Sequence, residues 1–235
     1  MTVILIFINI FVYIQSGLDG FDQHVYNTFT YGLIPGELFH GNVLNSIPTE
    51  MLPEGMSAIN PGSFPPILTI FTSMFMHGGL LHLLGNMWFL WLFGDNVEDR
   101  MGSFKFVLFY LIAGIVAALS HALADTNSMI PMIGASGAIA GVTGAYVMMY
   151  PRAQIQTLFF MLVFITTIRI PAIIYLGFWF LWQFYSGFAS LGAEGAQIAF
   201  FAHVGGFIAG VVLVKLFVSK NYYRFKRINQ YESYY

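Results

Sequence analysis

The 235-residue sequence contains no cysteine, which excludes disulfides, thiol nucleophiles and thiolate metal ligands. It is also short of charge: 9% of its residues are Asp, Glu, Lys or Arg, against about 25% in a soluble domain. A chain this poor in charge cannot clothe a globular surface with polar groups. Its net charge of −2 leaves no basic field for nucleic acid. Acids are missing where the chain is most apolar; all eleven Asp and Glu residues fall in connecting segments, at the ends of apolar runs or in the tail. That rules out an aspartyl protease built on two buried carboxylates. It also argues against a proton-coupled transporter, whose relay uses intramembrane acids. There is no internal repeat, no low-complexity segment and no sign of a second domain, so residues 1–235 read as one unit.

What fills the chain is apolar. Hydrophobic residues make up 57%, aromatics 18%, and the mean hydropathy is +0.72. The expected class is an all-α membrane protein. A bilayer crossing takes about 20 apolar residues, and six segments qualify: near 1–17, 79–97, 104–124, 134–150, 171–188 and 197–218. The first lacks the basic start and small-residue cleavage site of a signal peptide, so it is kept as a span. Two apolar stretches do not fit this scheme. Pro65 to Met76 is too short to cross, and it reads as an interfacial or re-entrant end to a long, acidic first loop. Ile155 to Ile168 is flanked by Arg152 and Arg169, which a crossing would put on opposite sides. Without that crossing, all nine basic residues share one side, which is then cytoplasmic. Both termini, including a basic and aromatic tail at 220–235, are expected inside.

A small polar set remains within the spans. Span two opens with His77, His82, Gly85 and Asn86, span four with Gly134, Ser136, Gly137 and Gly141, and span six holds His203, Gly206 and Gly210. A helix rises about 1.5 Å per residue. Counting from the charged inner ends puts His82, Ser136 and His203 at one level, roughly 10 Å below the outer surface of a bilayer about 30 Å thick. Asn86 lies one turn deeper on the face of His82. Gly137-x-x-x-Gly141 and Gly206-x-x-x-Gly210 are small-residue faces of the kind that let helix backbones approach closely. They begin directly after Ser136 and His203.

Taken singly, a serine in a membrane helix usually bonds its own backbone, and a membrane histidine usually packs or bonds a neighbouring helix. His77 and His121 are read that way, or as interfacial. The common depth of three unconnected groups argues for a site. A serine hydroxyl becomes a nucleophile when a base takes its proton, and neutral His203 can do so and later protonate the leaving amine. Donors from His82, Asn86 and the Ser136 N–H could hold the oxyanion, at a helix N-terminus whose dipole favours negative charge. A metal site is not expected. His77 and His82 are five residues apart, off a common face, and no H-E-x-x-H occurs.

At these residues the chain resembles the rhomboid family of intramembrane serine proteases. Its pattern is H-x4-H-x3-N (His77, His82, Asn86), then G-x-S-G (Gly134, Ser136, Gly137), then A-H-x-x-G-x-x-x-G (Ala202, His203, Gly206, Gly210). Glu98, Arg100 and Gly102 match the family's E-x-R-x-G. The resemblance implies a six-transmembrane-helix rhomboid-like bundle with a long membrane-associated first loop. It implies an intramembrane serine endopeptidase that cleaves single-span or polytopic membrane proteins within or beside their spans. No cofactor, metal or nucleic acid is implied. Ser136 would be the nucleophile, His203 the base, and His82, Asn86 and the Ser136 N–H the oxyanion donors. The fifth loop, Ser186 to Gln197, would be a mobile cap in which Phe188 could plug the cavity. Two departures stand out. Leu68-Thr69 occupies the place of a first-loop Trp-Arg pair. Ala140 replaces a tyrosine that stacks on the catalytic histidine in some members.

Span four is short, so loop three (about 125–135) is expected to dip inward and leave a wet, outward-facing pocket above Ser136. Two alternatives stay open: a catalytically inactive rhomboid-like protein that binds membrane helices, and a small channel or transporter. The bare six-helix core fits a multi-pass protein of a prokaryotic plasma membrane.

Overall fold

The fold was obtained as a computed structural model, which describes residues 1–18, 20–41, 52, 64–161, 164–189 and 200–218. A helix occupies each of the six expected segments: α1 (Thr2–Gly17), α5 (Leu80–Phe89) continuing through a π-helical turn into α6 (Asp95–Met101), α7 (Ser103–Ala124), α8 (Ser136–Met149), α9 (Ala172–Ala189) and α10 (Phe200–Phe217). Among the described residues, α7 and α10 are each long and apolar enough to cross a bilayer alone. A third candidate is a bent pair, residues 66–75 with 80–101, kinked by 78°. Its first limb, α4 (Pro66–Thr72) with a single 3₁₀ turn, is the Pro65–Met76 stretch. The glycines and extended residues between Met76 and Leu80 make the bend.

The long first loop carries two further helices, α2 (Phe21–Tyr31) and α3 (Pro35–His40). Much of its remainder, the 220–235 tail, the Phe188 side chain and most of the expected cap (residues 190–197) lie outside the described residues.

One element departs from an all-α bundle. The apolar stretch after Arg152 forms an antiparallel hairpin of β1 (Gln154–Met161) and β2 (Phe164–Pro171), with Gln156 opposite Arg169. Ile155, Thr157, Ile165, Thr166, Thr167, Ile168 and Ile170 explain the choice, since β-branched side chains favour extended backbone over helix. The hairpin returns the chain to its starting point, where the Ala172 N–H donates to the Ala153 carbonyl at 2.8 Å. Arg152 and Arg169 therefore lie at one end of the bundle.

The core sits among α5–α8 and α10. Leu90, Phe93, Val97, Phe106, Phe109 and Tyr110 are wholly or almost wholly buried there. Large apolar side chains also cover the outside, among them Leu81 (84% exposed), Phe104 (76%) and Leu216 (76%). In water such a belt would drive aggregation; in hydrocarbon it is the natural exterior, and the chain is an integral membrane protein.

Close approach of α8 and α10 sets the centre. A Cβ on Gly206 or Gly210 would fall onto the carbonyl oxygen of Gly137 or Gly141 respectively. Gly141 is pressed from its other side by Ala113 of α7. At one end of the bundle, Glu98 accepts from the Thr2 N–H (2.7 Å) and the Ser103 hydroxyl (2.6 Å). Arg100 donates to the Tyr150 hydroxyl at 2.7 Å. Gly102 makes the turn into α7 at φ +79°, a conformation that side chains rarely adopt. The Glu-x-Arg-x-Gly run thus ties α1, α6, α7 and the end of α8 together.

Candidate active site

Ser136 is the first residue of α8, so its backbone N–H belongs to the first turn, which has no intrahelical acceptor. Its side chain faces α10. The hydroxyl oxygen lies 2.8 Å from Nε2 of His203, whose ring reaches across from the first turns of α10. The backbone contact of Gly206 with Gly137 and of Gly210 with Gly141 is what brings the two helices this close.

Two side chains absent from the sequence-based set complete the surroundings of His203. Nδ1 lies 2.7 Å from Oε1 of Gln183 on α9. The Trp179 ring, one turn earlier on the same helix, sits 5.8 Å from the imidazole centroid at an interplanar angle of 39°. Trp179 thereby covers the ring in a chain with Ala140 four residues after the serine. A signal existed. Gln183 is the one amide side chain in the apolar run 172–189, and such groups are costly in a membrane unless they have a partner. Its i−4 neighbour Trp179 shares its face.

His82 stands at the other side of Ser136. Gly134 holds φ +124°, and a Cβ there would sit 2.9 Å from both Cε1 and Nε2 of the His82 ring. Glycine at 134 is therefore required twice, by conformation and by space. Asn86, one turn below, is buried, and its side-chain nitrogen has no hydrogen-bond partner among the described residues. His77 is fully buried with its ring edge-on to His82 at 5.1 Å, and stands behind the site.

A cavity of about 470 Å³ opens above the serine. Its polar lining is His82, His121, Ser128, Ser136 and His203, and its wall is loop three, Ile130 to Ile133. A groove of about 260 Å³ continues from it past Leu81, Gly85, Asn86, Phe89 and Trp179. The cavity wall is itself pinned. Leu33 and Met132 exchange backbone hydrogen bonds (3.0 and 2.8 Å), and the Gly134 N–H donates to the Ser73 carbonyl (2.9 Å). His121 therefore belongs to the cavity as well as to the packing of α7. His24 and His40 lie apart, bonded to Ser16 and Asn127. Among the described residues no group of three or more His, Asp or Glu side chains gathers as metal ligands would.

A hydroxyl, an imidazole within hydrogen-bond reach, spare donors and a polar hollow are the parts that acyl transfer needs. Comparison with known proteins leads to the same place. The Rhomboid domain model matches residues 66–220. Over 141 residues the chain is 34% identical to Rhomboid protease GluP of Bacillus subtilis (strain 168), covering 60% of this chain and 24% of that one. It is 30% identical over 139 residues to the human Presenilin-associated rhomboid-like protein, mitochondrial (57% and 37%). With RHOMBOID-like protein 6, mitochondrial, of Arabidopsis thaliana it shares 37% over 76 residues (32% and 24%). The matched part thus spans about a quarter to somewhat over a third of these relatives' length. With the family model covering well over half of the sequence, including every residue of the Ser136 cluster, the chain belongs to the rhomboid family.

Proposed function

We propose that this protein is an intramembrane serine endopeptidase that cleaves membrane proteins within or next to their transmembrane segments. The observation that carries the reading is the 2.8 Å approach of the Ser136 hydroxyl to His203 Nε2 at the floor of a polar cavity. In the first step Nε2 takes the hydroxyl proton as the oxygen attacks the scissile carbonyl. The imidazolium then gives that proton to the departing amine, leaving an acyl-enzyme. A water from the cavity, deprotonated by His203, releases the acyl product and restores the serine. The oxyanion formed at each attack is held by the Ser136 N–H, His82 and Asn86. The Asn86 nitrogen, without a partner among the described residues, and the position of the His82 ring over Gly134 support that assignment.

The substrates are single-span or polytopic membrane proteins in the lipid bilayer, unwound locally so that a carbonyl reaches the serine. The basic residues support an orientation with both termini cytoplasmic and the cavity open to the opposite side. Residues 1–235 act as one unit.

The test uses full-length protein in detergent with a labelled single-span substrate. Wild type is expected to cleave and to be labelled at Ser136 by a fluorophosphonate; Ser136→Ala and His203→Ala should do neither. Equal cleavage by wild type and Ser136→Ala would remove the proposal. Absence of cleavage and labelling in all three would favour an inactive, helix-binding rhomboid-like protein.

A further inference from the structure

We propose that Gln183 is a positioning residue for the reaction, holding His203 in the tautomer that lets it act as a base; this rests on the Ser136–His203 reading above. Neutral imidazole carries one N–H, and the nitrogen that bears it is set by the hydrogen bond at the other. Oε1 of Gln183, 2.7 Å from Nδ1, can only accept. An acceptor there favours the proton on Nδ1, so that Nε2, 2.8 Å from the serine oxygen, keeps its lone pair free for the hydroxyl proton. When Nε2 takes that proton, Nδ1–H stays in place, and the amide dipole of Gln183 faces the new positive charge. The amide gains and loses no proton at any step. A carboxylate fills this role in other serine proteases; a neutral amide fills it in this chain without placing a charge in a membrane core.

The surroundings fix the arrangement. Gln183 projects from α9 one turn beyond Trp179, whose ring lies beside the imidazole. Trp179 and Phe180 both pack on Phe207, one turn beyond His203 in α10. Two contacts from one helix, one polar and one aromatic, thus hold a ring whose only other polar contact among the described residues is the serine.

Single-turnover and steady-state cleavage by full-length protein, with Gln183→Leu and Gln183→Glu, tests this. Removing the acceptor in Gln183→Leu should lower kcat about tenfold or more with KM changed less than about twofold, since geometry of the base acts on chemistry and not on binding. Gln183→Glu keeps an acceptor at the same place and should recover most of the lost rate. Melting temperature is recorded for each, and Gln183→Met, nearest in shape, replaces a Leu variant that does not fold. Full activity in Gln183→Leu, a loss confined to KM, or equal losses in the Leu and Glu variants would overturn the assignment. Those outcomes are read only against an active wild type and a dead His203→Ala. If wild type neither cleaves nor takes a fluorophosphonate, it is the protease reading that fails.

Discussion

Asn86 carries a buried amide nitrogen with no partner among the described residues, in a membrane segment where an unmet donor is costly. In the proposed mechanism an acceptor reaches it when the oxyanion forms. Asn86→Ala should lower kcat by about 100-fold, roughly 3 kcal/mol of transition-state stabilisation. Its melting temperature should hold or rise, because the orphan donor is gone. A fall in stability with kcat unchanged would assign Asn86 to packing instead. At this scale the sequence was informative because polar groups are rare in so apolar a chain. Ser136, His82, Asn86 and His203 stood out by type and by depth. Gln183 stands out by type, as the one amide in its run, but whether it and Trp179 meet His203 depends on how α9 is rotated against α10. That angle is set by aromatic packing on Phe207, which no spacing rule gives.

Among the elements, α8 and α10 meet backbone to backbone, and the glycines of both helices are what allows it. Gly210→Ala would press a methyl onto the Gly141 carbonyl and should cost about 1–3 kcal/mol of stability. Among the described residues nothing lies within 4 Å of where a Cβ on Gly177, in α9, would sit, so Gly177→Ala should stabilise by about 0.5–1 kcal/mol. Thermal denaturation in one detergent compares the two, and equal effects would contradict a tight α8–α10 contact beside an open face at Gly177. All six apolar segments became helices because about 15 to 20 apolar residues leave the backbone few other ways to satisfy its own hydrogen bonds. The hairpin does not follow from the apolar pattern, for a physical reason. Apolar content alone does not separate a strand from a helix in a short run. Its β-branched content was the available clue.

The whole molecule presents two surfaces of opposite character, a belt of large apolar side chains and a polar cavity that enters between them. The cysteine-free sequence makes this measurable with single substitutions. In liposomes that leave the cavity mouth outside, Ser128→Cys should react with a membrane-impermeant maleimide. Phe178→Cys, on a helix face where the native ring is 70% exposed, should not. Equal reactivity at both would mean that the belt does not face lipid.

The family match begins at Pro66, yet the wall of the cavity is fastened by Leu33, far upstream of that boundary. Leu33 is fully buried, and its backbone clasps Met132 from both sides of the peptide unit. A fragment trimmed to residues 66–220 would keep Ser136 and His203 and lose the stitch that holds the lip of the hollow over them. A stretch of chain outside the matched domain thus keeps the hollow above Ser136 and His203 in shape.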